Sequence, residues 1–532
     1  MIPSTLLFLN MTKTTRRILL IIGGIILCCF IAVGIANHIV KNKLVAFLEN
    51  DLPPHISQSH KEVSLHLLDG SITIQQLDLA IRNKDSALVY SNLAIESVRI
   101  SDFSYWDYFV KDQMHFASVT LSGPTIRYYK HKKLEAQDTT TTASPSLNTI
   151  LRVDRLTINN AMVHTYDNTS DSTAMSATNL RLILKDIYLD ANTIQRKNPI
   201  NFSGYTLEGD SLFTKISRYE NLYTRTFSIN DGNAVFNNIA LKTKYSRAEH
   251  SRLLATELDH VNLTVDNVTA TGFDIGFNNE QPYLKSSLLT IDDSNLDIYR
   301  NKLVADDPKR KPLYSEQLRK LPIALSIDTI RLENAYIKYS EKVHAENPPG
   351  SIHFDNTYAT FYKVGNTYGK TNTQIDIRTK FMSTSLLKAN WEFNVENPSD
   401  RFTFRGDLAS IASAQLNSFT VPNLRLKLEG EIQQTYFTIN GDGTSSNVDM
   451  EMKYDEFKIK LIKKNGREEK DLLSAIANLF IKKNSNDDGK LFRKGEGTVT
   501  RAQNKSFFNY LWLNVETGMK SALTGPGVER KQ

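Results

Sequence analysis

The chain runs to 532 residues, 40% of them hydrophobic and 23% charged, with 64 basic against 58 acidic side chains for a formal net charge of +6. That length exceeds one compact core, and the composition excludes wholesale disorder, collagen-like or low-complexity architecture and the concentrated basic face of a nucleic-acid binder. The two cysteines, Cys28 and Cys29, are neighbours in one apolar run, so neither a disulfide scaffold nor a cysteine-ligated zinc site exists downstream.

Residues 1–17 form a tail carrying Lys13, Arg16 and Arg17, in which Met11 is as natural a start as Met1. From Ile18 to Ala36 the chain reads ILLIIGGIILCCFIAVGIA, nineteen residues without a charge. At about 1.5 Å per residue that run just covers the hydrocarbon of a bilayer. A cleaved signal peptide is the competing reading. The run is longer than a signal core, however, and it ends without a small-x-small site. It also passes into helical spacing at Leu44, Val45, Leu48 and Leu52 before Pro53-Pro54. Leu27, ahead of Cys28, breaks the lipidation pattern. Residues 18–40 are therefore expected to be an uncleaved transmembrane anchor. Lys41 and Lys43, followed by Glu49 and Asp51, make the far flank less basic, so the tail is expected to be cytoplasmic and the protein single-pass.

Past Pro54 the chain alternates with period two, the mark of strands with one buried face. In region 41–170, a first β-repeat region, Val63, Leu65 and Leu67 alternate with Ser64 and His66, Asp69-Gly70 signals a hairpin, and Ile72 and Ile74 resume. The Thr- and Ser-rich stretch from Ala136 to Asn148 reads as a loop. A connecting β region covers 171–255 and a second β-repeat region 256–345. Asp306 to Pro322, with Lys309, Arg310, Lys311 and three prolines, reads as a basic connector with one helical turn. Region 346–465 is again β: Ile375, Ile377, Thr379 and Phe381; Trp391, Phe393 and Val395; Leu424, Leu426 and Leu428; Phe457, Ile459 and Leu461 all alternate with polar or charged residues. Regular use of Glu and Lys, poor strand residues, marks a face that meets water. Region 466–532 holds amphipathic helices and a tail. Leu472, Leu473, Ile476, Leu479 and Phe480 lie on one side of a helix over 469–483. A last helix carries Phe507, Phe508, Leu511, Trp512, Val515, Met519 and Leu523 at helical spacing. It is expected to plug the end of the sheet, with docking to a membrane or partner as the alternative.

A duplication accompanies this pattern. VDRLTINNAMVHTY from Val153 and IDTIRLENAYIKYS from Ile327 align Asp154 with Asp328, Asn160 with Asn334 and Ala161 with Ala335, at an offset of 174. Val119 and Leu121 align with Leu289 and Ile291 at 170, and Val98 and Ile100 with Leu263 and Val265 at 165. Stacked repeats of this kind build elongated sheets. Chance alternation in an ordinary β-sandwich is the competing account.

No catalytic constellation emerges. No H-e-x-x-H, zinc-site histidine pair or G-x-S-x-G elbow occurs. Gly365 to Thr371 places three residues, where a phosphate loop needs four, before Gly-Lys-Thr, and leads into a strand rather than a helix; it reads as a turn. Asp154 and Asp328 recur with the strands and read as structural hydrogen-bonding groups. The chain is expected not to be an enzyme, with no catalytic residue, cofactor or metal.

The anchor, the IDTIRLENAYIKYSE-type units, and the pattern from Leu424 to Leu461 followed by KGEGTVTR and a terminal helix together resemble the AsmA-like family of bacterial envelope proteins, related to TamB- and YdbH-type bridge-like lipid-transfer proteins. The resemblance implies a mainly β fold: an elongated, repeat-built antiparallel sheet folded into an apolar groove in the periplasm, with one N-terminal helix in the inner membrane and short C-terminal amphipathic helices. It makes 346–465 the AsmA-like β region. It also implies phospholipid or another lipid as cargo, the outer membrane or an envelope assembly protein as a further partner, and a part in phospholipid transport or outer-membrane biogenesis. No nucleic-acid partner is expected. The candidate groove positions are Val98, Ile100, Val119, Leu121, Leu156, Ile158, Leu263, Val265, Leu289, Ile291, Ile330 and Leu332, each of which also serves as ordinary core. Some 20 to 25 strands at about 4.8 Å would reach on the order of 100 Å. The competing class is a non-enzymatic scaffold or chaperone for outer-membrane protein assembly, with a filled interior.

Overall fold

Alternating sequence becomes strand throughout the computed structural model, which is mainly β, with 63% strand and 14% helix. It describes residues 38, 41–42, 45–46, 52, 54–66, 71–83, 86–134, 150–167, 172–193, 200–278, 281–463, 483–486 and 491–524. The anchor expected over 18–40, the loop over 136–148 and the helix over 469–483 lie outside these residues, apart from His38 and Lys483. Among the described residues no helix is long and apolar enough to cross a membrane. The chain divides into two compact units, Met1–Asp210 and Ser211–Gln532.

The first unit runs β1 (Ile56–Ser59), β2 (Glu62–His66), β3 (Ser71–Arg82), β4 (Val89–Phe103), α1 (Tyr105–Lys111), β5 (Gln113–Ser122), β6 (Thr125–Tyr129), β7 (Ile150–Tyr166), β8 (Thr173–Leu189) and β9 (Gly204–Gly209). β1 and β2 both pair with β3, and β2 with β3 makes the expected hairpin, His66 facing Ser71. β5 and β6 act as one broken strand between β4 and β7. The break is Gly123-Pro124, where Gly123 takes φ +62° and proline offers no N–H to a ladder.

The second unit runs β10 (Ser211–Lys215), β11 (Glu220–Asn230), β12 (Gly232–Thr243), α2 (Arg247–Leu253), β13 (His260–Asn278), β14 (Gln281–Asn301), α3 (Tyr314–Arg319), β15 (Ala324–Lys342), β16 (Gly350–Gly365), β17 (Thr373–Phe381), β18 (Ser385–Phe393), β19 (Phe402–Leu408), β20 (Ile411–Ala412), α4 (Asn417–Leu424), β21 (Leu426–Gly441), β22 (Ser445–Leu461), β23 (Arg493–Thr500) and α5 (Phe507–Thr524). Successive strands neighbour one another, with β20 added beside the start of β21. Leu424, expected in a strand, closes α4 instead, because Arg425 takes a left-handed φ of 56° and ends the helix while pairing with Glu346 at 2.8 Å. The Gly365–Thr371 stretch is the turn between β16 and β17.

The all-antiparallel expectation is corrected once in each unit. β5 and β6 run parallel to β7, and β14 runs parallel to β15. Parallel neighbours need a long crossover, and the connectors 130–149 and 302–323 supply it. The duplication is thus β4 to β8 against β13 to β16, with β14 unbroken where its counterpart is split. Pairing places Val119 opposite Leu156 and Leu289 opposite Ile330, in agreement with the 170 and 174 offsets. The third alignment shifts by five residues. Val98 faces Leu121 as Val268, not Leu263, faces Ile291.

The Asn-Ala signature has a structural cause. Asn160 and Asn334 both take φ +54°, and the register steps there in both copies. Asn179 and Asn356 do the same on the next strand, at φ +50° and +47°. Asparagine tolerates this left-handed conformation, and the apolar phase moves across it from Ile330 and Leu332 to Ala335 and Ile337. Ala161 and Ala335 are buried immediately after the bend.

Two glycines of KGEGT explain the fit of α5. A Cβ on Gly495 would stand 2.1 Å from the carbonyl oxygen of Gly518, and one on Gly497 would stand 2.5 Å from Thr517 Cγ2. Gly495→Leu is expected to displace α5 and cost about 1–3 kcal/mol, seen as a lower urea midpoint and a red-shifted emission as Trp391 loses its stack on Phe507. Asn334→Val is expected to cost about 1–3 kcal/mol and Asn334→Gly far less; equal midpoints for the two would show that the bend carries no strain.

Candidate functional site

Cross-strand partners point to the same face, so the pairing assembles apolar side chains into rows. In the first unit one row reads Ile74, Val98, Leu121, Ile158, Leu182, Leu207, and the next reads Ile72, Ile100, Val119, Leu156, Leu184, Tyr205. In the second unit Phe236, Val268, Ile291, Leu332, Ala359, Ile377, Ala389, Gly406, Phe437, Met450 and Gly495 follow one another across β12 to β23. A second row there passes through Leu289, Ile330, Phe361, Ile375, Trp391, Phe404, Ile439 and Val448.

Ten of the twelve sequence candidates fall in these paired rows. Leu263 and Val265 lie instead beyond the bend, opposite Leu296 and Ser294. Of the twelve, Val98 (9% exposed) and Val265 (6%) are buried, and the other ten are half-buried. Leu182, Leu184 and Leu207 complete the first unit's rows outside the twelve candidates: NLRLILKDIYL alternates plainly, but it lies in the connecting β region 171–255, where no repeat match marks it.

Towards β21 to β23 the second unit's rows close. Ile439 and Met452 are fully buried, Val448 and Met450 nearly so. Trp391 stacks on Phe507 at 4.3 Å and meets Tyr314 of α3 edge-on at 5.5 Å. α5 therefore fills this end, as the plug reading expected. Of its candidate residues Phe507 is buried, Leu511, Val515 and Met519 are half-buried, and Phe508 and Trp512 remain exposed. Trp512 lies beside Phe419 of α4, ring centroids 5.9 Å apart.

The basic connector is ordered by charge rather than slack. Glu257, buried, receives Lys302 at 2.8 Å and Lys505 at 2.9 Å, and Lys311 donates its backbone N–H to Gln503. Arg310 and Lys320 hold the buried Glu316 down to about 2. Arg319 reaches Asp400 at 2.9 Å. The polar face of β15 to β23 carries a cleft of about 970 Å³ in which Arg331, Arg378, Lys388 and Arg405 alternate with Asp376, Asp407 and Asp449, a mixed-sign surface.

Asp154 and Asp328 have the structural roles their recurrence implied. Asp328 accepts from Lys363 at 2.8 Å and from the Tyr368 hydroxyl. Asp154 forms half of a clamp, in which His115 reaches Asp107 at 2.6 Å through Nδ1 and Asp154 at 2.8 Å through Nε2. Burial alone would lower the imidazole, but the two carboxylates outweigh it and hold His115 above its ordinary range. Asp107, bonded by Lys111 and His115, is held well below the usual carboxylate range. Among the described residues no three His, Cys, Asp or Glu side chains converge to hold a metal ion.

No protein-family model matches the chain, and no curated protein matches it significantly.

The clamp fastens α1, and its pH window follows from the two shifts. His115, raised in the fold, stabilises fully below about pH 6.5 and loses its contribution as pH rises through the folded value; Asp107, lowered, stabilises above about pH 4 and is lost in acid. Proteolysis at α1 is expected to speed up as pH rises from about 6.5 to 9, and His115→Ala is expected to be fast at every pH. A flat wild-type profile would show that the clamp does not fasten the helix.

Proposed function

We infer that this chain is a single-pass protein of the inner membrane, with its bulk in the periplasm, that takes lipid onto its apolar rows and assists phospholipid transport or outer-membrane biogenesis in the manner of the AsmA-like proteins its sequence resembles. One observation carries the reading: Leu121, Leu156, Ile158, Leu289, Ile330 and Leu332 line up across successive strands yet stay half-exposed. An ordinary core buries such side chains. Each methylene of an acyl chain left in water costs about 0.8 kcal/mol, so a lipid outside a bilayer and a half-covered apolar row stabilise each other. The non-enzymatic scaffold or chaperone is the second reading. The filled end under α5 favours it locally, since a closed interior offers no room for an acyl chain.

Native mass spectrometry with lipid extraction on the full chain purified from cells separates the two. Phospholipid is expected to accompany the protein and to fall several-fold in a Leu156→Glu/Ile330→Glu variant whose unfolding temperature is kept. Lipid bound around an anchor alone would not change, and equal lipid in both proteins would move the weight to the scaffold reading.

A further inference from the structure

Among the described residues of the first unit, the three most exposed large apolar side chains lie on α1. Trp106 is 68% exposed, Phe109 66% and Val110 58%. They stand at i, i+3 and i+4, one face of a helix of two turns. The other side of α1 is engaged. Ser104 caps its first turn by accepting from the Asp107 N–H, Asp107 pairs with Lys111 at 2.7 Å, and His115 ties Asp107 to Asp154. A helix so short would not hold in water unaided. Here a capped and clamped helix holds three large apolar side chains out into solvent.

The position of the clamp says what these side chains meet. His115 shares the alternation of Val119 and Leu121 along β5, and Asp154 that of Leu156 and Ile158 along β7, so α1 is fastened at the margin of the first unit's apolar rows. In the sequence the uncharged run from Ile18 to Ala36 precedes this sheet. Eighteen residues lie between Ala36 and His55, whose carbonyl accepts from the Arg82 N–H at 2.8 Å as the sheet begins. That length spans on the order of 30 Å as helix and 60 Å extended, which keeps the sheet close to any bilayer the run enters. Tryptophan and phenylalanine beside a lysine, on a helix with a polar inner side, are the residues of an interfacial wedge.

We propose that α1 docks on the surface of the lipid bilayer, with Trp106, Phe109 and Val110 entering the boundary between headgroups and acyl chains at the mouth of the apolar rows. This rests on the membrane-anchored reading above and adds the place where the sheet touches lipid.

The test uses the full chain reconstituted into phospholipid vesicles whose acyl chains are brominated near the headgroup. Bromine quenches tryptophan on contact, and Trp106→Phe identifies the share of emission owed to Trp106 against Trp391 and Trp512. The expected result is quenching in the wild type that is lost in Trp106→Phe and falls in Phe109→Ser/Val110→Ser, two exposed positions at which the unfolding temperature should not move. It is expected to survive in Leu156→Glu/Ile330→Glu. An equal quenched share in wild type and Trp106→Phe overturns the proposal, and places a protein partner or water over α1. Quenching that vanishes with the Leu156/Ile330 changes also overturns it, because the quencher is then bound cargo. Copurifying lipid without quenching leaves the reading of lipid on the apolar rows standing and removes the wedge, while quenching without copurifying lipid does the reverse.

Discussion

A sheet with one apolar face has to cover that face, and the rest of the second unit follows from how far the cover extends. α5 lies over β21 to β23, and there the rows are sealed, with Ile439, Met452 and Tyr454 at 0–1% exposure. Over β14 to β16 Leu289, Ile330, Leu332 and Phe361 continue the same rows half-exposed. Each half-covered side chain forgoes about 1 kcal/mol of transfer free energy. A face of this kind is stable because strand pairing holds it in place, not because it has been buried.

Keeping such rows aligned across a bent sheet requires a device at the bend. Simple alternation would turn an apolar side chain outward wherever a strand steps register. Asn160 and Asn179 in one unit, and Asn334 and Asn356 in the other, absorb the step in a left-handed residue so that apolar positions resume one place later. Asn334 also donates to Asp293 of β14 at 2.6 Å, Asp293 being itself left-handed. The bend is thereby shared between neighbouring strands, including the parallel pair, rather than left to one of them.

Strand content was legible because period two is a strong signal, and the Asn-Ala match was legible because the left-handed bend admits few residues. What hid from the sequence were features set by pairing. Nothing local distinguishes β14 with its parallel neighbour from a strand in an antiparallel pair; only the length of 302–323 hinted at the crossover. The five-residue error at Val98 arose because Leu263-Thr264-Val265 and Val268-Thr269-Ala270 alternate alike, and ladder register alone tells them apart. Leu424 looked like one more alternating position, whereas a left-handed Arg425 makes it the end of a helix. α1 escaped notice because its useful property is exposure, which follows from what its neighbours fail to cover. The capping serine and Asp107 three residues later were the available clue.

The distribution of charge completes the physical account. An apolar row is non-directional: it accepts any hydrocarbon and specifies no position for it. Position has to come from directional groups, and these lie at the margins. Buried Glu257 between Lys302 and Lys505, Arg319 on Asp400, and the backbone bond from Lys311 to Gln503 locate the segment that leads into α5. Losing one partner of such a buried pair strands the other charge, which is far costlier than shifting a leucine. The plug is therefore held in one place while the rows beside it stay permissive. In the first unit the corresponding fastening of α1 is a histidine between two carboxylates, which favour its protonated form. A fixed closure and a titratable one suit different tasks. The first seals a core, and the second fastens a short helix whose Trp106, Phe109 and Val110 stay exposed.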